Sequence, residues 1–155
     1  MKLTILALGT RMPDWVEHGV AEYSKRMPPE IKLDWRELPL AARGKSGNSQ
    51  AVVREAEAIR KALPPQDRLV ILDVLGSSFS TEKLAHKLAD WQMSGMNYSI
   101  VIGGPDGVEQ SLLQEADLLW SLSPLTLPHP LVRVVLAEQL YRAWSINAGH
   151  PYHRS

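Results

Sequence analysis

The segment Tyr98–Gly107 reads YSIVIGGPDG, an almost wholly apolar run that ends at a cluster of glycines. A second run, Leu69–Val74 (LVILDV), is similarly apolar. Runs of this kind are typical of strands that are covered on both faces, as in a parallel sheet. We therefore predict two inner strands here. Three more strands are predicted at Leu3–Leu8, Ile31–Leu38 and, from a weaker pattern, Leu118–Leu127.

Helical patterns lie between these strands. Apolar side chains recur at helical spacing in three sets, namely Val16, Val20, Tyr23 and Met27; Val52, Ala56, Ile59 and Leu63; and Leu84, Leu88 and Trp91. A last helix is predicted to begin near Pro130, because proline suits the first turn of a helix, and to run to about Asn147. Strands that alternate with helices predict one α/β domain over residues 1–155, with a mostly parallel sheet and helices on both faces.

The last predicted helix is unusually apolar. From Leu131 to Ile146, eleven of the sixteen residues are Leu, Val, Ala, Tyr, Trp or Ile. A helix of this composition is buried on more than one side. One side can pack on the sheet, and the other either faces a second copy of the chain or lies within the same molecule. We favour a homodimer, because a chain this small has few elements left to cover the second side.

Composition excludes several classes of protein. The 155 residues include no cysteine, which excludes a disulfide scaffold, a thiolate zinc site, an iron–sulfur cluster and a cysteine nucleophile. Basic and acidic residues both number 17, which argues against a protein that coats nucleic acid by charge alone. The charge is nevertheless segregated, since residues 1–65 and 128–155 are net basic and residues 66–127 are net acidic. The zero net charge therefore excludes only a protein that coats nucleic acid in bulk.

Neither a targeting segment nor a membrane-spanning segment is predicted. The apolar run after Met1 is short and has no small-residue cleavage site behind it. No window approaches the ~18 consecutive apolar residues that a membrane helix needs. We therefore expect a cytoplasmic protein without a membrane partner.

Three loops are candidates for ligand binding, and one of them lies around Leu75-Gly76, at the end of the predicted strand Leu69–Val74. The glycines of Gly103–Gly107 follow a predicted buried strand, at the edge where open α/β sheets bind ligands, but they do not form the dinucleotide fingerprint. An ordinary tight turn explains them equally well. The proline-bearing segment Leu122–His129 can line a flat ligand such as adenine, or it can be a hydrophobic connection under the last helix.

Three other patterns give weaker evidence of function. Gly44-Lys45-Ser46 ends like a phosphate-binding P-loop, but Pro39 stands where that motif needs glycine, so we expect only a basic loop that can contact RNA phosphates through Arg43 and Lys45. His150 and His153 lack an accompanying cluster of ligands, so no metal site is expected. The terminal Tyr152-His153-Arg154 can stack on a base and hold a phosphate, although a chain terminus is as often frayed.

Taken together, these residues resemble a known family. Ile102–Gly107 (IGGPDG) is similar to the glycine-rich motif of the SPOUT-class RNA methyltransferases. Leu122–His129, followed by Leu136–Ala143 (LAEQLYRA), resembles their last motif, a loop that feeds a long C-terminal helix. The length, the opening Met1–Gly9, the Leu72-Asp73 strand end and the Tyr-His-Arg terminus make the whole chain resemble the family of ribosomal large-subunit pseudouridine N3-methyltransferases.

The resemblance implies a fold, a cofactor and partners. SPOUT enzymes carry a trefoil knot in the C-terminal half, bind S-adenosylmethionine against the knotted loops and act as homodimers. The substrate implied is large-subunit ribosomal RNA, in the ribosome. The residues implied for cofactor binding are Leu72, Gly103, Gly104, Leu122, Ser123, Pro124, Leu125, Thr126 and Leu127.

The chemistry of the substrate suggests roles for the terminus. The N3 of a uracil-type ring carries a proton and becomes nucleophilic only when that proton leaves, so a general base is needed. Our hypothesis gives His153 the base or proton-relay role and Arg154 the anchoring of the substrate. Tyr152 orients or stacks on the base, and Arg142 and Glu138 frame the pocket from the last helix.

His153 is preferred over His129 because a terminus can fold over a substrate, whereas His129 stands between two prolines. Two alternatives to the whole assignment stay open. One is a SPOUT methyltransferase that acts on another rRNA or tRNA nucleotide. The other is a non-catalytic, ribosome-associated RNA-binding module.

Overall fold

The computed structural model of the chain describes residues 1–44 and 47–154. Lys45, which we predicted to contact RNA phosphates, and Ser46 lie outside the described residues. The elements in chain order are β1 (Lys2–Leu8), α1 (Asp14–Ser24), β2 (Lys32–Leu38), α2 (Ser49–Ala62), β3 (Arg68–Ser78), α3 (Thr81–Met93), β4 (Tyr98–Ile102), α4 (Gln110–Glu115), β5 (Leu118–Ser121), α5 (His129–Ala148) and a closing 3-10 turn (Pro151–Arg154).

The strands form a sheet in the order β2-β1-β4-β3-β5, and every pairing between them is parallel. This confirms the predicted α/β class. Alternate side chains of β1 enter two separate cores, because successive residues of a strand point to opposite faces. Ile5 packs in the core beneath α3 and α5, whereas Leu6 packs in the core beneath α2 and α4. Helices therefore cover both faces of the sheet.

Strand β3 is longer than predicted and is interrupted. Leu72 pairs with Trp120 of β5, and so does Ser77, so residues 73–76 are an excursion from the ladder that we call the β3 bulge. Gly76 lies against the backbone of β5: a Cβ placed on it would stand 2.6 Å from the carbonyl carbon of Leu119 and 2.8 Å from the amide nitrogen of Trp120. Only a residue without a side chain fits there.

Strand β5 is shorter than predicted, ending at Ser121 rather than near Leu127. The Ser121 hydroxyl donates to the Ser123 carbonyl oxygen at 2.9 Å, and the Leu125 amide donates to the Ser123 hydroxyl at 2.9 Å. These local bonds turn the chain out of the sheet, as serine side chains do in loops. The segment from Leu122 to Pro128 is therefore a loop that leads into α5.

Helix α5 packs between α1 and α3 on one face of the sheet. Every residue from 131 to 146 is at least partly buried within the single chain. Flanking helices thus cover much of the apolar surface that we assigned to a partner, while the homodimer stays a prediction. None of the described helices is both long and apolar enough to cross a membrane.

Candidate active site

A cavity of about 580 Å³ opens at the carboxyl ends of β3, β4 and β5. Its walls come from three segments: the start of the β3 bulge, the glycine-rich loop after β4, and the loop between β5 and α5. The first turn of α5 closes it. Of the residues predicted to bind the cofactor, those that line the cavity are Leu72, Gly103, Gly104, Leu122, Ser123, Leu125, Thr126 and Leu127. Pro124 is exposed and does not line it.

The glycine-rich loop gives the cavity a backbone wall. A Cβ placed on Gly103 would stand 2.8 Å from the Cγ2 of Val108, so a side chain at this position displaces the loop behind it. The next residues form a closed turn in which the Gly107 amide donates to the Gly104 carbonyl oxygen at 3.1 Å. Gly103 and Gly104 both line the cavity and have no side chain to cover their peptide groups, so a ligand can approach these groups closely.

One cavity residue brings negative charge. Among the described residues that line the cavity, Asp73 is the one acidic side chain. Its carboxylate accepts the amide of Leu75 at 3.2 Å, which holds the side chain at the start of the β3 bulge. From the sequence, Asp73 was predicted only to end a strand. Its position after a buried strand, beside Leu72, is the signal that could have placed it in the site.

His129 also lines the cavity, from the first turn of α5. Burial, and then the positive charge of Arg133, lower the pKa of His129 below its ordinary value. The imidazole is therefore neutral at neutral pH. Arg133 itself is buried, forms an ion pair with Glu37 and donates to the carbonyl oxygen of Gly9 at 2.7 Å. This bonding holds the start of α5 to the end of β1.

The predicted catalytic residues form a second group. The Tyr152 hydroxyl donates to Glu138 at 3.2 Å, and the Arg142 Nε donates to the same carboxylate at 3.0 Å. The Arg142 guanidinium lies 4.9 Å from the centre of the Tyr152 ring, which also packs against Tyr141. Burial is the main reason that the pKa of Tyr152 is raised above its usual range, so the hydroxyl keeps its proton.

The two remaining members of this group differ in exposure. The Nδ1 of His153 is buried and has no hydrogen-bond partner among residues 1–44 and 47–154. Arg154 is exposed to solvent. The closing turn thus lies folded on α5, with the Arg154 guanidinium on the outside. A buried ring nitrogen without a partner from the protein is uncommon in folded proteins.

The cavity and the closing turn contact different parts of α5. His129 at the start of the helix borders the cavity, whereas the closing turn folds back from the end of the helix so that Tyr152 reaches Glu138. Glu138 is nine residues after His129, about 14 Å along the axis at ~1.5 Å per residue, and none of the described residues of the turn lines the cavity. One chain therefore does not bring its predicted cofactor residues and its predicted catalytic terminus together. In the described parts of the chain, no cluster of three or more acidic or histidine side chains could hold a metal ion.

Comparison with known proteins gives a family. The family described as "Predicted SPOUT methyltransferase" matches residues 1–153. A protein from Saccharophagus degradans is 57% identical over 155 residues, covering 99% of this chain and 100% of its own. A protein from Teredinibacter turnerae is 58% identical, covering 99% and 100%, and one from Acidithiobacillus ferrooxidans is 54% identical, covering 99% and 98%. All three are named ribosomal RNA large subunit methyltransferase H. A family match over nearly the whole chain, on an all-parallel sheet with a glycine-walled cavity at its edge, shows that the chain belongs to the SPOUT methyltransferases.

Proposed function

We propose that this protein transfers a methyl group from S-adenosylmethionine to N3 of a pseudouridine in large-subunit ribosomal RNA. The observation that carries the proposal is the cavity walled by the glycine-rich loop and the β5–α5 loop. It occurs in a chain that matches, end to end, relatives named as ribosomal RNA large subunit methyltransferases. A small-molecule pocket of this volume, at the carboxyl ends of parallel strands, is where α/β proteins bind their ligands.

The cavity suits the cofactor in shape and charge. The exposed peptide groups at Gly103 and Gly104 admit a ligand closely, and apolar side chains of the β5–α5 loop, Leu122 and Leu127, can cover a flat adenine ring. Asp73 complements a positive charge. When bound, S-adenosylmethionine supplies a methyl group activated on a sulfonium ion, so the protein needs only to position and polarise the substrate.

The chain's own residues act on the base. His153 accepts the N3 proton, because a ring nitrogen that still carries its proton is a poor nucleophile. Arg154 anchors the RNA and stabilises the negative charge that develops on a ring carbonyl oxygen. Tyr152, protonated and held by Glu138, orients the base, and the Arg142 Nε holds Glu138 in place by donating to its carboxylate.

The active unit in this proposal is a homodimer with one trefoil knot per chain. Support for the dimer comes from the closing turn, because none of its described residues lines the cavity of its own chain. A second copy, related by twofold symmetry, can supply the turn instead. Support for the knot comes from the resemblance to SPOUT enzymes, whose family model matches residues 1–153. The cytoplasm, where ribosomes are the partner, is the proposed location.

Two measurements test the function. Calorimetry is expected to show S-adenosylmethionine binding to the purified protein, and mass mapping of rRNA and tRNA from a deletion strain is expected to show one large-subunit pseudouridine without its N3 methyl group. Absence of cofactor binding would point instead to a non-catalytic RNA-binding module. Loss of a methyl group from another nucleotide would show a different substrate.

Asp73→Asn is expected to weaken S-adenosylmethionine binding about tenfold, the effect of losing ~1.4 kcal/mol of attraction to a nearby cation. S-adenosylhomocysteine lacks the sulfonium charge, so its affinity should fall much less. Calorimetry with both ligands measures the difference. Asp90→Asn, a change of an exposed acid on α3, serves as the control. Equal losses for the two ligands would contradict a charge role for Asp73.

Cofactor affinity is expected to depend on pH through His129. Because the pKa of His129 is lowered, the imidazole is neutral above its ordinary value of 6.5 and gains a proton only at lower pH. The new positive charge then opposes a cationic cofactor, so affinity should be constant from about pH 8 to 6.5 and decline only at lower pH. His129→Gln should remove the decline. An unchanged profile in that variant would assign the titration to another group.

A further inference from the structure

The glycine-rich loop is fastened from behind by an ion-pair network that faces away from the cavity. Its inner member is Glu55 on α2, whose side chain is only 2% exposed. The Glu55 carboxylate accepts the amide of Ala41 at 3.0 Å and forms an ion pair with the Arg43 guanidinium. A buried carboxylate is costly unless it is paired in this way, so Arg43 is held firmly in place.

Arg43 also reaches the glycine-rich loop. Its Nε donates to the Asp106 carboxylate at 3.0 Å, and the other Asp106 oxygen accepts the side-chain amide of Asn48 at 2.9 Å. The hydrogen bonds to Glu55 and Asp106 raise the pKa of Arg43, which therefore stays charged. We call Glu55, Arg43 and Asp106 the Arg43 bridge.

Asp106 belongs to the turn that walls the cavity. The turn from Gly104 to Gly107 is closed by its own backbone hydrogen bond, and Pro105 next to Asp106 lines the cavity. On its other side Gly104 packs against Leu40, Glu55 and Arg43: a Cβ placed there would stand 2.9, 3.6 and 3.7 Å from their atoms. One small turn thus meets the cavity on one side and the Arg43 bridge on the other.

The bridge also revises an expectation from the sequence. Arg43 was predicted to be available for RNA phosphates, but its guanidinium is committed to two carboxylates and to the Ala41 carbonyl oxygen at 2.8 Å. A guanidinium with this set of partners has most of its donors already bonded. The residue therefore acts within the protein.

The geometry points to Asp106 and Arg43 as positioning residues for the cofactor. By holding Asp106, Arg43 sets where the peptide groups of Gly104 and its neighbours stand in the cavity, so that cofactor affinity depends on an ion pair that does not touch the cofactor. This inference rests on the proposed function. Positioning of this kind differs from direct electrostatic attraction. A displaced turn weakens the binding of every ligand that uses the same peptide groups, whatever the charge of the ligand.

Asp106→Ala separates these effects and leaves the buried Glu55–Arg43 pair intact. Calorimetry of the full-length protein is expected to show about fivefold weaker binding of both S-adenosylmethionine and S-adenosylhomocysteine, as for one charged hydrogen bond partly exposed to water. The melting temperature should stay near that of the wild type. Asp106→Glu, which keeps a carboxylate within reach of Arg43, should restore affinity to within about twofold. Glu115→Ala is the matched control, because it removes an acidic side chain of α4 that is paired with Arg60 of α2.

Each outcome has one meaning. Equal losses for the two ligands, with rescue by glutamate, support positioning. A loss confined to S-adenosylmethionine would overturn it in favour of charge alone, and unchanged affinity in Asp106→Ala would overturn it outright. If the wild-type protein binds neither ligand, the proposed function fails instead. Arg43→Lys adds a second measurement: weaker cofactor binding with unchanged affinity for an rRNA fragment is expected, and the reverse would make Arg43 a phosphate contact.

Discussion

Gly76→Ala is expected to lower the stability of this protein strongly, although it adds only one methyl group. The added Cβ would stand 2.6 Å from the Leu119 carbonyl carbon and 2.7 Å from its oxygen, and both are backbone atoms that cannot rotate away. Overpacking of this kind costs about 3 kcal/mol. For a chain of this size the melting temperature should fall by roughly 6–12 °C. Thermal unfolding followed by circular dichroism measures the change.

The same substitution is expected to reduce cofactor binding. Gly76 ends the β3 bulge, and Asp73 and Val74 of that bulge line the cavity, so separating β3 from β5 moves one wall of the site. Gly44→Ala is the control, because a Cβ placed on Gly44 meets nothing within 4 Å. A Gly76→Ala variant that melts like the control would show that β3 and β5 are less closely packed than their backbone distances indicate.

The strands that were predicted best from the sequence are those whose pattern depends on apolar side chains alone. The prediction for β4 has the observed bounds, and those for β1 and β2 begin within one residue of the observed start. The bounds of β3 and β5 could not be predicted in the same way. The end of β3 contains Gly76 and two serines, a composition typical of turns, and it is a strand only because β5 lies beside it. Helix α4 was missed because six residues are too few for a helical period to show.

The candidate site was predicted in part. Its glycines and its proline-bearing loop carry backbone signals that can be read locally, and all but Pro124 of the residues predicted for the cofactor line the cavity. Asp73 was missed as a cavity residue because a single polar residue beside an apolar run carries no pattern, and its place depends on which strand ends meet. His129 ends the segment Leu122–His129, which was predicted as a candidate ligand loop, but it was not assigned to the cofactor. The bonding of Arg43 likewise joins residues 12 and 63 positions away in the chain.

Loss of the terminal guanidinium is expected to have the largest effect on catalysis. Arg154→Ala should lower the methyl-transfer kcat by ~100-fold or more, because a preorganised donor to developing negative charge is removed. Cofactor affinity should be unchanged, since Arg154 is exposed and does not line the cavity. His153→Ala should behave similarly if this side chain takes the N3 proton. Full activity in both variants, or a loss explained by weaker cofactor binding, would contradict the roles given to the closing turn.

Mixed dimers test how the two groups of residues meet. One chain carries Arg154→Ala, and the other carries Asp73→Arg, which puts a positive charge into the cavity. The loss of cofactor binding in the Asp73→Arg protein is measured first. Each pure variant should be nearly inactive. Heterodimers isolated with two affinity tags should recover about half of the wild-type activity, because one of their two sites combines an intact cavity with the intact closing turn of the other chain.

The place of the closing turn makes this outcome specific. If a closing turn served the cavity of its own chain, every site of the heterodimer would contain one damaged part, and the heterodimer would be as inactive as its parents. The turn is folded back onto α5, where Tyr152 reaches Glu138, and none of its described residues lines the cavity, so it would have to leave this place to serve its own chain. Inactive heterodimers would therefore overturn the shared site, and a protein that is monomeric and active in solution would overturn both the shared site and the homodimer.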